Sequence, residues 1–132
     1  MQRMRTAVVI LNWNTEDFLR KFLPALLRSV SEVDGAEVIV ADNDSYDDSM
    51  FVMKEVFPQI RTIELEKNFG FTGGYNKALA QIEAEYHVLI NSDIEVQDGW
   101  LEPLLEWMEV HPDCGACAPK LHSWQDKDMF EY

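Results

Sequence analysis

Short runs rich in β-branched residues alternate with helix-spaced hydrophobics along most of this chain, and that rhythm restricts it to one class of fold. Ala7-Val8-Val9-Ile10-Leu11 is apolar at every position. A strand wetted on one face would alternate in polarity, so this run predicts a strand covered on both faces, as in a parallel sheet. Asn12-Trp13-Asn14 closes it, and Thr15 stands where a helix N-cap is expected, with Asp17 in the first turn. Phe18, Phe22, Leu26 and Val30 then recur at helical spacing, with Leu19, Leu23 and Leu27 widening the stripe. Pro24 inside that stripe predicts a kink or a delayed start to the regular helix.

The same unit recurs. Residues 37–41 predict a second buried strand, 42–46 a polar loop, and 47–57 a helix stopped by Pro58. Residues 61–65 alternate like a third strand, nearer a sheet edge. Lys67-Asn68-Phe69-Gly70-Phe71-Thr72-Gly73-Gly74 predicts a glycine-rich turn before a helix over 75–84. Tyr86–Ile90 is a fourth strand, 91–98 a polar loop, 99–111 an amphipathic helix, and 115–121 a fifth strand. Strands joined through helices by short loops give an α/β fold with an open, mostly parallel sheet. At 132 residues and 47% hydrophobic composition, one domain spanning 1–132 with a single core is expected.

In such sheets ligands bind beyond the carboxyl ends of the strands. Each predicted strand end here carries amides or acids: Asn12 and Asn14, then Asp42 and Asn43, then Asn68 with its glycines, then Asn91, Asp93 and Glu95. In Asn91-Ser92-Asp93-Ile94-Glu95 alternate side chains bear oxygen and can converge on Mg²⁺ or Mn²⁺. The plainer reading is an Asx turn with acids capping the next helix. Asp42 either takes a nucleoside hydroxyl or base edge, or caps the following helix, for which Ser45 and Asp47 are better placed. The glycines permit close backbone approach, and the helix beyond them favours an anion. Lys67, Lys77 and Arg61 read as solvated surface.

The net charge of −13, from 24 acidic and 11 basic residues, excludes a nucleic-acid-binding domain, which needs clustered cations. An acidic protein that holds an anionic ligand needs a mediating cation. Cys114 and Cys117 form a lone Cys-x-x-Cys with no second ligand pair for zinc, and they read as buried or half-buried thiols on the fifth strand. His87 reads as a packed core histidine. No apolar run reaches the ~18 residues of a membrane span, and the apolar stretch after the N-terminus is too short for a signal peptide. A cytoplasmic protein follows, or one peripheral at the inner membrane face. A Rossmann dehydrogenase lacks its glycine fingerprint here, and a phosphorylation receiver would need acids where Asn12 and Asn68 stand.

Taken together, Val8-Val9-Ile10-Leu11-Asn12-Trp13-Asn14, Val38-Ile39-Val40-Ala41-Asp42-Asn43-Asp44-Ser45, 68–76 and Leu89-Ile90-Asn91-Ser92-Asp93-Ile94-Glu95-Val96 resemble family 2 glycosyltransferases, particularly the rhamnosyltransferase-like branch. The pieces occur in the family's order and cover essentially the whole chain. The resemblance implies a GT-A fold, a three-layer, Rossmann-like arrangement, and an inverting transfer from a dTDP- or UDP-sugar to a glycan or lipid-linked hydroxyl in polysaccharide synthesis. It implies donor contacts from Asn12, Asn14, Asp42, Asn68, Gly73, Gly74, Asn76, Asn91 and Asp93. A divalent cation would be held by Asp93, with Asn91 and Glu95; Asn91 occupies the first position of the Asp-x-Asp motif, a frequent variation in this branch. The acid that deprotonates the acceptor follows the matched region in this family, so the resemblance places the general base beyond Tyr132. It thereby implies the donor half of a longer enzyme, inactive alone. The alternative is a sugar-nucleotide-binding module without chemistry.

Overall fold

The computed structural model describes residues 4–127 and 129. Four strands form one sheet: β1 (Thr6–Asn12), β2 (Ala36–Asp42), β3 (Arg61–Glu64) and β4 (Tyr86–Ile90), in the order β3-β2-β1-β4 and parallel throughout. Helices α1 (Glu16–Ser31), α2 (Ser49–Glu55) and α3 (Gly70–Leu79) connect them, and α4 (Glu102–Val110) follows β4. The chain steps outward from β1 to β3, then returns to place β4 on the other side of β1. The strand order therefore reverses between β1 and β4, the position where such sheets open a crevice.

Successive side chains of a strand point to opposite faces. Ala7, Val9, Ile39, Ala41, Ile63 and Leu65 pack together with Tyr75 and Ala78 of α3 and with Ile82. The alternate residues Val8, Val38 and Val40 are buried on the other face, where α1 and α2 contribute Leu19, Leu23, Leu26, Val30, Val52 and Met53. Burial on both faces is what the unbroken apolar runs of β1 and β2 require. Residues up to Gln97 form one compact unit, and residues from Asp98 onward form another that carries α4.

Several elements differ from the sequence reading. The first helix runs unbroken through Pro24, whose side chain is exposed. Segment 115–121 is not a strand but irregular and largely exposed. Pro119 removes a ladder donor there, and no β-branched residue favours the extended state. Cys117 is accordingly exposed and Cys114 partly buried, both as free thiols. As the last strand on its side of the sheet among the described residues, β4 alternates in exposure. His87 is solvent-facing rather than packed, with Nε2 3.1 Å from the Ile82 carbonyl oxygen.

The third helix begins five residues earlier than the sequence suggests: Gly70 opens it with a left-handed backbone, φ 76°, as a turn glycine would, whereas Gly73 and Gly74 lie inside it rather than in a preceding turn. Gly74 is where the helix meets the sheet. A Cβ there would lie 2.8 Å from Leu11 Cδ2 and 2.9 Å from Asn43 Nδ2. Asn43 cannot easily yield, because its amide donates to Asn68 and to the Gly70 carbonyl. Gly74→Ala is expected to lower stability by about 1–3 kcal/mol through overpacking. Gly115→Ala, with nothing within 4 Å of the added carbon, should stay within about 0.5 kcal/mol. Denaturant midpoints of the two variants measure the contrast.

Candidate functional site

At the carboxyl end of the sheet, Asn12 is the last residue of β1 and has 0% of its surface exposed. It sits opposite Asp42, the last residue of β2. Asn12 Nδ2 donates to Asp42 Oδ1 at 2.8 Å and to Ser45 Oγ at 3.2 Å, while its Oδ1 accepts from the Thr15 hydroxyl. A carboxylate only accepts, so the Asn12 amide can face Asp42 in one orientation alone. Asp42, 3% exposed, also accepts from the Ser45 hydroxyl at 2.7 Å and the Ser45 N–H at 2.9 Å. Ser45 Oγ in turn accepts the Asn14 N–H at 2.9 Å. A buried carboxylate is tolerated here because three donors converge on it.

Thr15 extends this network across the switch between β1 and β4. Its hydroxyl oxygen lies 2.9 Å from Ser92 Oγ, in the loop that follows β4. A hydroxyl carries one proton, and that of Thr15 goes to Asn12 Oδ1, which can only accept; Ser92 must therefore donate to Thr15. Thr15 is the N-cap residue of α1, where the sequence suggests, but its hydroxyl is spent on this network and makes no capping bond to the first turn. The first N–H of that helix, from Glu16, goes to Asp47 Oδ2 at 3.2 Å.

Asn14 and Asp47 pin the loops after β1 and β2 to each other. Asn14 holds a left-handed backbone, φ 54°, and its Oδ1 accepts the N–H groups of Tyr46 and Asp47 at 2.9 and 3.3 Å. Asp44 is also left-handed, φ 65°. These are uncommon conformations for non-glycine residues, with Asn and Asp the side chains that adopt them most readily. Asp47 Oδ1 accepts from the Ser49 N–H and hydroxyl, so one carboxylate serves the starts of both α1 and α2. Burial pushes its pKa up, but the Ser49 hydroxyl and the Ser49 and Glu16 N–H groups outweigh that, and the net shift is downward from the usual carboxylate range. Beside these loops Trp13 (44% exposed) and Tyr46 (82% exposed) meet edge to face, ring centres 5.9 Å apart.

A second arm reaches the loop after β3. Asn43, buried, donates to Asn68 Oδ1 at 3.1 Å and to the Gly70 carbonyl at 3.0 Å, and accepts the Phe69 N–H at 3.0 Å. Lys67 and Lys77 each place an ammonium 5.1 Å from the centre of the Phe69 ring. A shallow groove of about 270 Å³ opens there, lined by Glu64, Leu65, Glu66, Phe69, Lys77 and Gln81. Its two acids make it a poor berth for a phosphate.

After β4, Asn91, Asp93 and Glu95 are exposed, and the residues between them, Ser92 and Ile94, are partly buried. Among the described residues no three His, Cys, Asp or Glu side chains gather to hold a metal by themselves. The donor set still fits a hard cation such as Mg²⁺ or Mn²⁺. Mg²⁺ sites commonly take only one or two carboxylates, the rest coming from water and substrate phosphates.

The sequence model described as Glycosyl transferase family 2 matches residues 7–129. The chain belongs to that family. Among curated relatives it is 28% identical, over 84% of its own length, to polypeptide N-acetylgalactosaminyltransferase 5 of Mus musculus, and 28% identical, over 79%, to the poly(ribitol-phosphate) beta-glucosyltransferase of Bacillus spizizenii. It spans only 11% and 17% of those two proteins. Among solved structures, S. aureus TarS superposes with a TM-score of 0.68 at 23% identity, covering 88% of this chain and 38% of that one, and it has also been solved with UDP. The mannosyltransferase PcManGT from Pyrobaculum calidifontis, solved with GDP-Man and Mn²⁺, superposes at 0.70 and 21% identity, covering 82% and 33%. These likenesses establish the α/β, GT-A architecture.

Within this family fold, the residues singled out from sequence divide into groups. Asn12, Asn14 and Asp42 form one bonded cluster, reached from the 91–95 loop through Ser92. Asn68 joins Asn43. Gly74 packs the helix against Leu11, Gly73 is half-buried beside Phe69, and Asn76 is exposed on α3. Thr15, Ser45 and Ser92 do much of the bonding, yet as short polar side chains in loops they carry no sequence pattern that marks them as site residues. Tyr132, the position beyond which the family resemblance puts the general base, lies outside the described residues. The geometry accordingly assigns no catalytic base.

Asp47→Ala removes the acceptor shared by α1 and α2 and should cost about 1–2 kcal/mol at pH 7. A carboxyl whose pKa is lowered by folding stabilises the fold above its unfolded value, near 3.8, and that contribution fades as pH falls through the folded value. The gap between the parent and Asp47→Ala in urea midpoints should therefore narrow below pH 3.8. A gap constant from about pH 7 to pH 3 would refute this role.

Proposed function

We propose that this chain is the donor-binding part of a glycosyltransferase, holding a nucleotide-diphosphate sugar at the rim formed after β1, β2 and β4. The observation that carries this reading is the unbroken hydrogen-bond path from Asp42 through Asn12 and Thr15 to Ser92, spanning the position where strand order reverses. In the proposed pose Asp42 and Asn12 lie at the nucleoside end, with the open faces of Trp13 and Tyr46 available for a base to stack on. Asn14, Asn68, Asn76 and the glycines of α3 border the donor. Asp93, with Asn91 and Glu95, faces the diphosphate across a divalent cation.

When bound, that cation supplies charge neutralisation for the departing diphosphate. The chain's own residues would orient the donor and fix its leaving group, which is where an inverting displacement gains most from positioning. The UDP complex of TarS and the GDP-Man and Mn²⁺ complex of PcManGT support the ligand class. The donor we assign is a UDP- or dTDP-sugar, and the Asn91-Ser92-Asp93 form of the acidic motif is what favours the rhamnosyltransferase-like branch. The acceptor we assign is a glycan or lipid-linked hydroxyl at the cytoplasmic side of a membrane; among the described residues no helix is long and apolar enough to cross one. The rim accounts for holding a donor and not for deprotonating an acceptor, so the proposal for this chain stops at donor binding and leaving-group stabilisation.

Thermal melting with UDP or dTDP and Mn²⁺ tests the reading. Ligand at about 100 times its Kd adds roughly 2.7 kcal/mol to stability, which corresponds to a Tm rise on the order of 5–15 °C for a domain of this size. The rise should require both nucleotide and metal, and Asp93→Asn should remove most of it. No shift with either nucleotide in the presence of Mn²⁺ would refute the assignment.

A further inference from the structure

We infer that Thr15 is a positioning residue for the cation-binding loop, acting through Ser92; this rests on the donor-site reading above and adds to it a residue that touches neither nucleotide nor metal. Three observations support the inference. The loop carrying Asn91, Asp93 and Glu95 hangs from β4, the last strand on its side of the sheet among the described residues, with Leu89 of that strand 51% exposed. Asn91, Asp93 and Glu95 are all exposed, and none of the three makes a side-chain hydrogen bond or ion pair with another described residue, so they do not order the loop themselves. Among the described residues, one side-chain bond ties this loop to the body of the sheet, and it is Ser92 to Thr15 at 2.9 Å.

The direction of that bond is fixed from its other end. Asp42 sets the Asn12 amide, the amide oxygen takes the Thr15 proton, and Thr15 is left with only lone pairs to offer Ser92. Ser92 stands between Asn91 and Asp93. Holding its hydroxyl therefore limits where both neighbouring side chains can go. A loop held in place before the metal arrives loses less conformational freedom on binding it. The carboxylate at the nucleoside end thereby pre-arranges the loop at the diphosphate end, through a relay of side chains and no ligand.

The test compares UDP affinity in Mn²⁺ with UDP affinity in EDTA, by calorimetry on the intact chain. The ratio of the two isolates what the cation adds, and a merely local loss of stability would not move it. In the parent protein the ratio should be about tenfold or more. Thr15→Val, nearly isosteric but without the hydroxyl, should reduce it to about threefold or less, and Ser92→Ala should do the same. The double variant should fall no further than either single one, because both remove the same bond. Thr15→Ser should restore the parent ratio. A parent-like ratio in Thr15→Val, or failure of Thr15→Ser to restore it, would overturn the inference while leaving the donor site standing. If the parent chain bound no UDP under either condition, the donor reading itself would fall, and this inference with it.

Discussion

The candidate site depends on burying one neutral amide. Asn12 lies at the end of the central strand with no surface in water, and both polar atoms of its side chain are used: the donor on the Asp42–Ser45 side, the acceptor on the Thr15 side. An amide is the side chain that can bridge an acceptor-only carboxylate on one flank and a hydroxyl proton on the other. An acid in its place would set two carboxylates against each other in a dry site, and an apolar residue would leave Asp42 buried with a donor missing. Either change costs more than the bond itself, because an unpaired buried polar group loses its hydration without replacement.

From that residue the rest of the rim follows. The strand order puts β2 and β4 on either side of β1. The amide at the end of β1 therefore bonds Asp42 and Ser45 directly, 30 and 33 residues away in sequence, and is joined to the loop after β4 through Thr15, whose bond to Ser92 spans 77 residues. The loops after β1 and β2 are then locked by Asn14 and Asp47, at the expense of a left-handed backbone at Asn14. Asn91, Asp93 and Glu95 remain exposed on the loop that Ser92 joins to this network, and the aromatic pair stands beside the loops after β1 and β2. With a net charge of −13, a diphosphate approaching this rim meets repulsion that a cation between the two would relieve.

The strands β1 and β2 were legible almost to the residue, because continuous β-branched runs leave no other packing. The start of α3 was not. Glycine costs a helix interior about 1 kcal/mol against alanine, so Gly73 and Gly74, close behind the left-handed Gly70, read locally as a turn. Contact of the helix with Leu11 and Asn43 demands a residue without a Cβ at Gly74 and overrides that preference. His87 and segment 115–121 depart from expectation for a related reason: whether a strand is central, at an edge or absent is decided by its neighbours, which local composition does not name. Asp42 and Asp93 were visible as acids after strands. The hydroxyls of Thr15, Ser45 and Ser92 that join the loops were not, since a bond across 77 residues leaves no local trace.

Loops after β1, β2 and β4 are proposed to grip one diphosphate through one cation. Paramagnetic broadening by Mn²⁺ in the amide NMR spectrum, with UDP bound, reads this most directly. Resonances of residues 91–95 should be lost first and those of Asn14 and Ser45 next, while Gly35, at the opposite end of the strands, stays sharp. Broadening centred on the acids of α4, or spread evenly over the acidic surface, would contradict it.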